Sequence, residues 1–479
     1  MPISDQRSRA LLRLIAAIVL VGAGALATHL PYVLASDCLD SDAAVTVLMG
    51  RHFAHGEITV FVWGMRYMGA LEAWAFVPFS WFGGHDLLLS CLAALSLTAV
   101  QAVCVARIAA RAQGQVFVAA LLVTTASAST AFAQTTIYGG RLAATTLALL
   151  ALDTIQEKPT TRRVVISGLL AGAALYGDHL MVAWALPIAF AAYRARALGR
   201  LVAAAAPWVV FERVWFVLTT GPKPGVADPW EWPRNLRLLG LDGLPMMFGA
   251  DWAASRQSDF VPPAASVLWV VLSLATISLA LGAVVWLTRQ WRRKEIADLL
   301  LVPIATAGIF VLGAVDTQSI RYLAPAWPAL AILASIAAAT RPAVGFAGAT
   351  IAAANMILSV SHDAMHADGA AAGRACRAEM SETATALTDA GVHGVWADYW
   401  DAYRLGLFMD ERLPFAPFRG GVDRRHVWTD LVRQARPVAY LLTDARGPRA
   451  LREALDRVAS ARRVGRYDLY VLPQSLEEP

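Results

Sequence analysis

A succession of long apolar segments is the feature that most constrains what this chain can fold into. A bilayer core about 30 Å thick needs about 20 apolar residues per helix, and we identify about eleven such segments. They lie at 11–30, 86–108, 115–134, 137–153, 164–178, 179–194, 200–219, 264–288, 297–315, 321–339 and 342–360. Hydrophobic residues make up 57% of the sequence and charged residues 16%, whereas soluble domains have about 25% charged residues. The sequence therefore predicts an α-helical polytopic membrane protein with about 11 transmembrane helices.

The positively charged residues between these segments predict the topology, because lysine and arginine accumulate in short cytoplasmic loops. Under strict alternation of the spans, one side receives Arg7, Arg9, Arg13, Arg107, Arg111, Lys158, Arg162, Arg163, Arg194, Arg196, Arg200, Arg289, Arg292, Arg293, Lys294 and Arg341. We predict a cytoplasmic N-terminus, a first helix retained as a signal anchor and an extracytoplasmic C-terminus, in a bacterial cytoplasmic (inner) membrane. We attribute the net charge of +5 to these basic cytoplasmic loops, and no nucleic-acid partner is expected.

The composition changes near His362, where charged residues become frequent. Predicted helices at 373–390, 398–409, 425–435 and 448–459 alternate with short apolar strands at 392–397, 438–443 and 467–472. Such alternation is typical of a small α/β layer. We predict a transmembrane domain at 1–361, whose first extracytoplasmic loop at 31–85 is catalytic, and a soluble extracytoplasmic α/β domain at 362–479.

Carboxylates follow the first apolar segment directly. Asp40 and Asp42 flank Ser41, and residues 42–55 read as an amphipathic helix at the membrane interface. A carboxylate at a helix N-terminus is stabilised by free backbone N–H groups and the helix dipole, so Asp42 is either a simple cap or a catalytic group. The same loop carries Glu72, Arg66, Tyr67, His52 and Trp63. A cleft lined by a carboxylate, a cation and aromatic rings suits sugar recognition, which favours Asp42 as the catalytic base, Asp40 as its rival and Glu72 as a third catalytic carboxylate.

Further candidate donor-binding residues lie at the same predicted membrane face. Arg321 and Tyr322 open the tenth segment, where a guanidinium either forks onto a phosphate or extends towards lipid headgroups. Asp178 and His179 lie where the fifth and sixth segments meet, and these segments are either two short spans or one broken, re-entrant pair. Asp178 and His179 either contribute to the donor-binding cavity or form a solvated turn. Arg141 is read as extending towards the interface.

The chemistry that fits these groups is transfer of a glycosyl unit from a lipid phosphate to a hydroxyl or amine. A carboxylate would accept the acceptor's proton, and a cation would stabilise the departing phosphate. A divalent cation, Mg²⁺ or Mn²⁺, held by Asp40 and Asp42 is left open, since paired carboxylates bind hard cations. The four cysteines lack metal-ligand spacing, and a disulfide between Cys38 and Cys376 is left open.

Several motifs in their order resemble the GT-C superfamily of polyprenyl-phosphate-dependent glycosyltransferases, near the protein O-mannosyltransferase and aminoarabinose-transferase group. They are LDSDAAVTVLMGRHF, WGMRYMGALEAWAFVPFSWFGG, GLLAGAALYGDHL, RYLAPAWPALAIL and ADYWDAYRLGLFMDERLPFAPF. The resemblance covers most of the chain and implies a GT-C-like fold. It also implies that Asp42, with Asp40 as rival, is the base or site organiser, and that Glu72 and Arg321 match family site residues. Ala43 and Met65 depart from the family pattern, which has an acidic and a polar residue there.

The leading hypothesis is an inverting membrane glycosyltransferase. Its expected partners are a polyprenyl-phosphate sugar donor, a glycan, lipid or protein acceptor, and membrane lipids. A transporter or flippase for lipid-linked sugars is the first alternative, although transporters place polar residues near the bilayer midplane and this chain concentrates them at one face. A noncatalytic partner of envelope assembly is the second, and it would tolerate Asp42→Asn and Glu72→Gln.

Overall fold

The architecture is that of a helical membrane protein with a small sheet near its C-terminus. The computed structural model describes residues 19, 21–29, 41–65, 68–84, 86–125, 141–218, 227–250, 267–313, 317–366, 369–418, 423–443 and 448–476. Within these ranges, six helices are long and apolar enough to cross a membrane: Leu88–Arg111, Leu198–Leu218, Val267–Arg289, Lys294–Gly313, Tyr322–Ala339 and Pro342–Ser361. The helical membrane class is confirmed, and the count of 11 spans stays a prediction.

The helices occupy the predicted apolar segments and the first loop. In chain order they are α1 (21–29), α2 (Ser41–Ala54), α3 (Leu71–Ser80), α4 (Asp86–Arg111), α5 (Val116–Thr124), α6 (Arg141–Glu157), α7 (Thr161–Gly177), α8 (Val182–Arg194), α9 (Leu198–Leu218), α10 (Trp232–Leu238), α11 (Leu244–Met247), α12 (Val267–Arg289), α13 (Lys294–Gly313), α14 (Trp327–Ala339) and α15 (Pro342–His366). Short 3₁₀ segments span His179–Met181, Pro229–Glu231 and Thr317–Ala326, and a π-helical turn spans Leu239–Gly243. The fifth and sixth predicted segments are thus two helices, α7 and α8, joined by one turn.

Ion pairs join several of the basic clusters at one end of the bundle. Arg111, in the last turn of α4, pairs with Asp153 near the end of α6 at 2.8 Å. Arg194, in the last turn of α8, pairs with Asp298 near the start of α13, and the Arg293 guanidinium donates to the carbonyl of Ala112 just after α4. Loops that the charge pattern assigns to one membrane face therefore meet at one end of the protein. The side of the membrane that this end faces stays a prediction.

The helix α2 is buried on almost every side. Ten of its 14 residues are buried, because α3 packs on one side and a helix of the C-terminal domain, α17 (Tyr399–Phe408), packs on another. The sequence predicted an amphipathic helix at the membrane interface. The helix is buried and not interfacial because α17 packs against it. No pattern in residues 41–54 predicts a packing partner about 350 residues further along the chain.

The C-terminal domain is a five-stranded mixed sheet with helices. The strands are β1 (Gly394–Ala397), β2 (Phe415–Pro417), β3 (Val438–Leu442), β4 (Arg462–Val464) and β5 (Tyr467–Leu472), and the remaining helices are α16 (Gly369–Asp389), α18 (His426–Gln434) and α19 (Arg449–Asp456). The strand order is β2-β1-β3-β5-β4. β1 is parallel to both β2 and β3, and β5 is antiparallel to β3 and β4. The predicted α/β layer is present, with two added strands, β2 and β4, each only three residues long.

Close contacts seat this domain on the first loop. Gly64, at φ +67°, lies so near the backbone of Asp423 that an added Cβ would stand 2.5 Å from the Asp423 carbonyl oxygen. Arg51 of α2 bridges Asp86 of α4 at 2.7 Å and Asp410 of the domain at 2.8 Å. The loop and the domain therefore form a continuous packed unit in the described residues. Cys376 is disulfide-bonded, and its predicted partner, Cys38, lies outside the described residues.

Candidate functional site

Asp42 lies in the first turn of α2 and is contacted by two residues of the C-terminal domain. Its Oδ1 atom accepts a hydrogen bond from the Tyr399 hydroxyl and lies 3.4 Å from Nη2 of Arg424. The Asp42 side chain is 17% exposed and that of Arg424 8%. A carboxylate, a phenol and a guanidinium thus form one half-buried polar centre at the N-terminal end of α2.

The local structure explains why Tyr399 and Arg424 reach Asp42. Asp398 caps α17 by accepting from the backbone N–H of Trp400 at 3.0 Å, which places Tyr399 at the first position of that helix. Arg424 donates from Nε to the Tyr399 hydroxyl at 3.2 Å, and its backbone N–H donates to the hydroxyl of Tyr403 at 2.6 Å. Burial raises the pKa of the Tyr399 hydroxyl, so this group is a proton donor at neutral pH.

At the opposite end of α2, His52 joins a second set of charged residues. Its Nδ1 lies 2.6 Å from Glu57 and its Nε2 lies 2.7 Å from Glu411, while Arg425 pairs with Glu411 at 2.8 Å. The hydrogen bond to Glu411 raises the pKa of His52. The Arg425 guanidinium also stacks 4.6 Å from the ring centroid of Trp63. His52 and Trp63, both candidate donor-binding residues, therefore contact the C-terminal domain.

Glu72 is a deeply buried carboxyl group in the first turn of α3. The side chain is 2% exposed, and Oε1 accepts from the backbone N–H of Ala143 at the start of α6 at 2.9 Å. Oε2 has no hydrogen-bond partner within the described residues. Burial raises the pKa of Glu72 to about 8, against the opposing effect of the N–H groups of Ala143 and Leu142. The group therefore holds its proton over much of the neutral range.

Arg141 lies beside Glu72 at the N-terminus of α6. Its Nε is 3.5 Å from Oδ2 of Asp178, with side-chain exposures of 12% and 7%, and its guanidinium lies 4.4 Å from the ring centroid of Tyr322. Nε and Nη1 make no hydrogen bond to any described residue. Asp178 caps the 3₁₀ turn after α7 by accepting from Leu180 at 2.8 Å. A buried cation, two carboxyl groups and an aromatic ring thus form a second polar centre, which we name the Arg141 cluster: Glu72, Arg141, Asp178 and Tyr322.

The segment that carries Tyr322 is held against the bundle by tryptophan side chains. Trp184 donates from Nε1 to the carbonyl of Pro325 at 2.8 Å, and Trp327 donates to the carbonyl of Leu122 at 2.7 Å. Trp327 also lines an apolar cavity of about 600 Å³ between α5, α12, α14 and α15, which extends to Arg341 at the far end of the bundle. The apolar cavity therefore reaches the start of α14, five residues after Tyr322.

Not every candidate residue joins a centre in the described part of the chain. His179 pairs with Glu212 of α9 at 3.2 Å. Asp40, Arg66 and Tyr67 lie outside the described residues, as does the side chain of Arg321. Within the described ranges, no three His, Cys, Asp or Glu side chains are grouped so as to hold a metal ion. The metal site at Asp40 and Asp42 stays a prediction.

The sequence did not predict where three of the groups that complete these centres lie. Arg424 and Tyr399 lie more than 350 residues from Asp42, so their contact could not be read from spacing. Arg141 was interpreted as extending towards the interface, although an arginine followed by an apolar helix beside a predicted acidic loop was a usable signal. In the structure it is enclosed by protein groups.

No protein-family model matches the sequence, and no curated protein sequence matches it. Solved structures do. ArnT from Cupriavidus metallidurans in the apo state has 13% identity and a TM-score of 0.60, covering 96% of this chain and 98% of that chain. ArnT from the same organism bound to undecaprenyl phosphate has 14% identity and a TM-score of 0.58, covering 96% and 99%. The Archaeoglobus fulgidus oligosaccharyltransferase in complex with Zn and sulfate has 10% identity and a TM-score of 0.50, covering 88% and 68%.

These likenesses define the class of fold. Because the ArnT structures match nearly the whole of both chains, helices and C-terminal domain share one arrangement with them. The GT-C-like fold predicted from the motifs is confirmed. The chain is therefore a multi-pass membrane protein with the fold of ArnT.

Proposed function

We propose that this protein is an integral membrane glycosyltransferase that moves a sugar from a polyprenyl-phosphate donor to an extracytoplasmic glycan, lipid or protein. The observation that carries the proposal is the likeness in fold, over 96% of this chain, to an ArnT structure bound to undecaprenyl phosphate. The two polar centres support it, since both lie at the end of the bundle opposite the arginine clusters. The protein would reside in a bacterial cytoplasmic membrane with its N-terminus in the cytoplasm.

In the proposed reaction Asp42 is the base, with Asp40 as the rival. The hydroxyl or amine of the acceptor attacks the anomeric carbon, its proton passes to the carboxylate, and the bond from that carbon to the phosphate oxygen breaks. The phosphate keeps the electron pair and leaves as polyprenyl phosphate. Attack opposite the leaving group inverts the anomeric configuration. General-base catalysis of this kind contributes about 10²- to 10⁴-fold.

The Arg141 cluster is the proposed site of the donor's phosphate and sugar. The N–H groups of Arg141 that make no hydrogen bond to a described residue suit phosphate oxygens, and Arg321 is proposed to assist through charge. Glu72 and Asp178 suit sugar hydroxyls, Tyr322 orients Arg141, and the apolar cavity beside Trp327 suits the prenyl chain.

The remaining candidates take different proposed roles. Arg66 and Tyr67 stay candidates for donor contact, and His179 is proposed to shape the cavity through its pairing with Glu212. The contacts of His52 and Trp63 with Arg425 favour a role in docking the C-terminal domain over direct donor contact. A divalent cation held by Asp40 and Asp42 is left open.

The test is a transfer assay on the purified protein in nanodiscs. It is incubated with a panel of radiolabelled polyprenyl-phosphate sugars and a membrane acceptor extract, and wild type is compared with Asp42→Asn. We expect transfer from one donor in the wild type and at least a hundredfold loss in Asp42→Asn. Asp430→Asn, a change at an exposed carboxylate of the same protein, is the matched control and should keep full activity. Absence of transfer from every donor would reject the proposal.

A further inference from the structure

The C-terminal domain holds the helix α2 at both ends. Tyr399 and Arg424 contact Asp42 at the N-terminal end, and Glu411 contacts His52 near the C-terminal end. α2 is 14 residues long and so spans about 21 Å. Two sets of polar contacts separated by most of a helix length, together with the α17 helix that packs along it, fix both the axial position and the rotation of α2.

We infer that Arg424 and Tyr399 are positioning residues for the Asp42 carboxylate, so that the C-terminal domain is part of the catalytic centre. This inference rests on the proposed function, in which Asp42 accepts the acceptor's proton. Neither residue touches the reacting atoms in this assignment. Both act by holding Oδ1 of Asp42 and thereby the plane of its carboxylate.

The geometry around Arg424 supports a fixed orientation. Its Nη2 faces Asp42 while its Nε donates to the hydroxyl of Tyr399. One guanidinium therefore contacts both the Asp42 carboxylate and the phenol that donates a hydrogen bond to this carboxylate. The backbone N–H of the same residue donates to Tyr403, a fully buried side chain that stacks on Trp428. Arg424 is therefore anchored to the core of the domain through its backbone and to Asp42 through its side chain.

Simple adhesion between the domain and the loop does not require this contact. The pairs of Arg51 with Asp410 and of His52 with Glu411 already join the two parts at the other end of α2. Removing an arginine and a carboxylate from water costs free energy that can equal or exceed their attraction. A buried ion pair is thus weak evidence for added stability, and its location on the candidate base points to a role in orienting that base.

The experiment compares Arg424→Met, Arg424→Lys and Tyr399→Phe with wild type in the transfer assay. We expect Arg424→Met to lower kcat at least tenfold while the donor KM changes less than twofold, because orientation affects the base and not the phosphate. Arg424→Lys should recover part of the loss. Arg433→Met removes an exposed arginine of the same domain and should behave as wild type. An unchanged kcat in both Arg424 variants, or a rise in donor KM without a fall in kcat, would overturn the inference.

A double-mutant cycle shows whether Arg424 works through Asp42. If it does, Arg424→Met has little further effect on kcat in an Asp42→Asn background, and the two losses do not add. Full additivity would contradict the positioning role.

A second readout is independent of turnover. Hydrogen exchange of the backbone amides of residues 42–47 should be at least fivefold faster in Arg424→Lys and Tyr399→Phe than in wild type, with an unchanged melting temperature. Equal exchange in folded variants would refute positioning even if no donor is ever turned over. Inactivity of wild type with every donor, combined with faster exchange in the variants, would instead reject only the proposed function.

Discussion

The two polar centres of this protein differ in how far protein groups satisfy their carboxyl oxygens. At Asp42, the Oδ1 atom is held by a phenol and a guanidinium from the C-terminal domain. In the Arg141 cluster, polar atoms of Glu72, Arg141 and Asp178 lack hydrogen-bond partners among the described residues. Each buried polar group left without a hydrogen bond costs about 1–3 kcal/mol.

The difference indicates which part of the proposed reaction each centre suits. A centre whose groups are already oriented suits a chemical step, because orientation before reaction lowers the barrier. The Arg141 cluster, in which several buried polar atoms have no hydrogen-bond partner among the described residues, suits a polar ligand that would supply those partners. We therefore assign orientation of the base to the first centre and recognition of the donor to the Arg141 cluster.

The largest expected effect separates the two centres by kinetic parameter. Arg141→Met should weaken binding of the donor at least tenfold, because truncating one partner of a buried charged contact costs about 2–5 kcal/mol. Donor KM and direct binding of undecaprenyl phosphate in nanodiscs are the measurements. Arg163→Met, a change at the opposite end of the bundle, should leave both unchanged. Retained donor affinity in Arg141→Met would contradict the role of the Arg141 cluster in donor recognition.

Inorganic phosphate added to the same binding measurement sharpens this result. If the Arg141 cluster recognises phosphate chemistry in general, millimolar inorganic phosphate competes with undecaprenyl phosphate in wild type and not in Arg141→Met. If the prenyl chain dominates, competition is absent in both proteins.

An intermediate effect concerns the pH dependence of stability at Glu72. Its pKa in the folded protein, about 8, lies above its ordinary value, so between about pH 4.5 and 8 the unfolded chain loses a proton that the folded protein keeps. The free energy of unfolding then falls as pH rises, by up to about 1.4 kcal/mol per pH unit. Glu72→Gln cannot ionise and should remove this slope, becoming more stable relative to wild type towards pH 8.

Melting temperatures followed by tryptophan fluorescence at pH 6, 7 and 8 measure this slope. Glu453→Gln, at an exposed carboxylate of the C-terminal domain, should retain the wild-type slope. Parallel pH profiles for Glu72→Gln and wild type would show that burial does not raise the pKa of Glu72 in the folded protein.

The smallest expected effect tests the contacts at the other end of α2. The hydrogen bond to Glu411 raises the pKa of His52, so the stability that this pair contributes is fully present below about pH 6.5 and is lost as pH rises through the raised pKa. At pH 6, His52→Gln should lower the free energy of unfolding by less than about 1 kcal/mol, because the pair is partly exposed, and the melting temperature should fall accordingly. In alkaline buffer the variant should match wild type.

His426→Gln is the control, since His426 pairs with Asp423 at a largely exposed position. It should shift the melting temperature less than His52→Gln at pH 6. A loss of transfer activity in His52→Gln with an unchanged melting temperature would contradict the docking role and favour direct donor contact.

Much of the fold could be predicted because the forces involved are local in sequence. Apolar segments and arginine clusters predicted where the helices lie, and α2 was expected at 42–55 and runs over Ser41–Ala54. Strand β3 is buried along its whole length, so its run of apolar residues was readable. Strands β2 and β4 were missed because three residues are too few to form a pattern, and they exist through pairing with β1 and β5.

The carboxyl groups of the two centres and Tyr322 were predictable from the sequence, whereas the positions of Arg141, Arg424 and Tyr399 were not. Asp42 and Glu72 were identified as candidates from the residues around them and from the family resemblance. The burial of Glu72 and its contact with Ala143 depend on the packing of α3 against α6, which no local pattern specifies. The contact of Arg424 with Asp42 depends on docking of a domain 382 positions away. Long-range contacts of this kind follow from tertiary structure alone.

The measurement that tests the central claim most directly is product analysis by mass spectrometry after incubation with the donor that wild type accepts. We predict equal amounts of released polyprenyl phosphate and glycosylated acceptor in wild type and in Asp430→Asn, and at least a hundredfold less of both products in Asp42→Asn. Intact donor recovered on the opposite leaflet, or sugar transfer that proceeds equally in Asp42→Asn, would contradict the assignment of Asp42 as the base of a membrane glycosyltransferase.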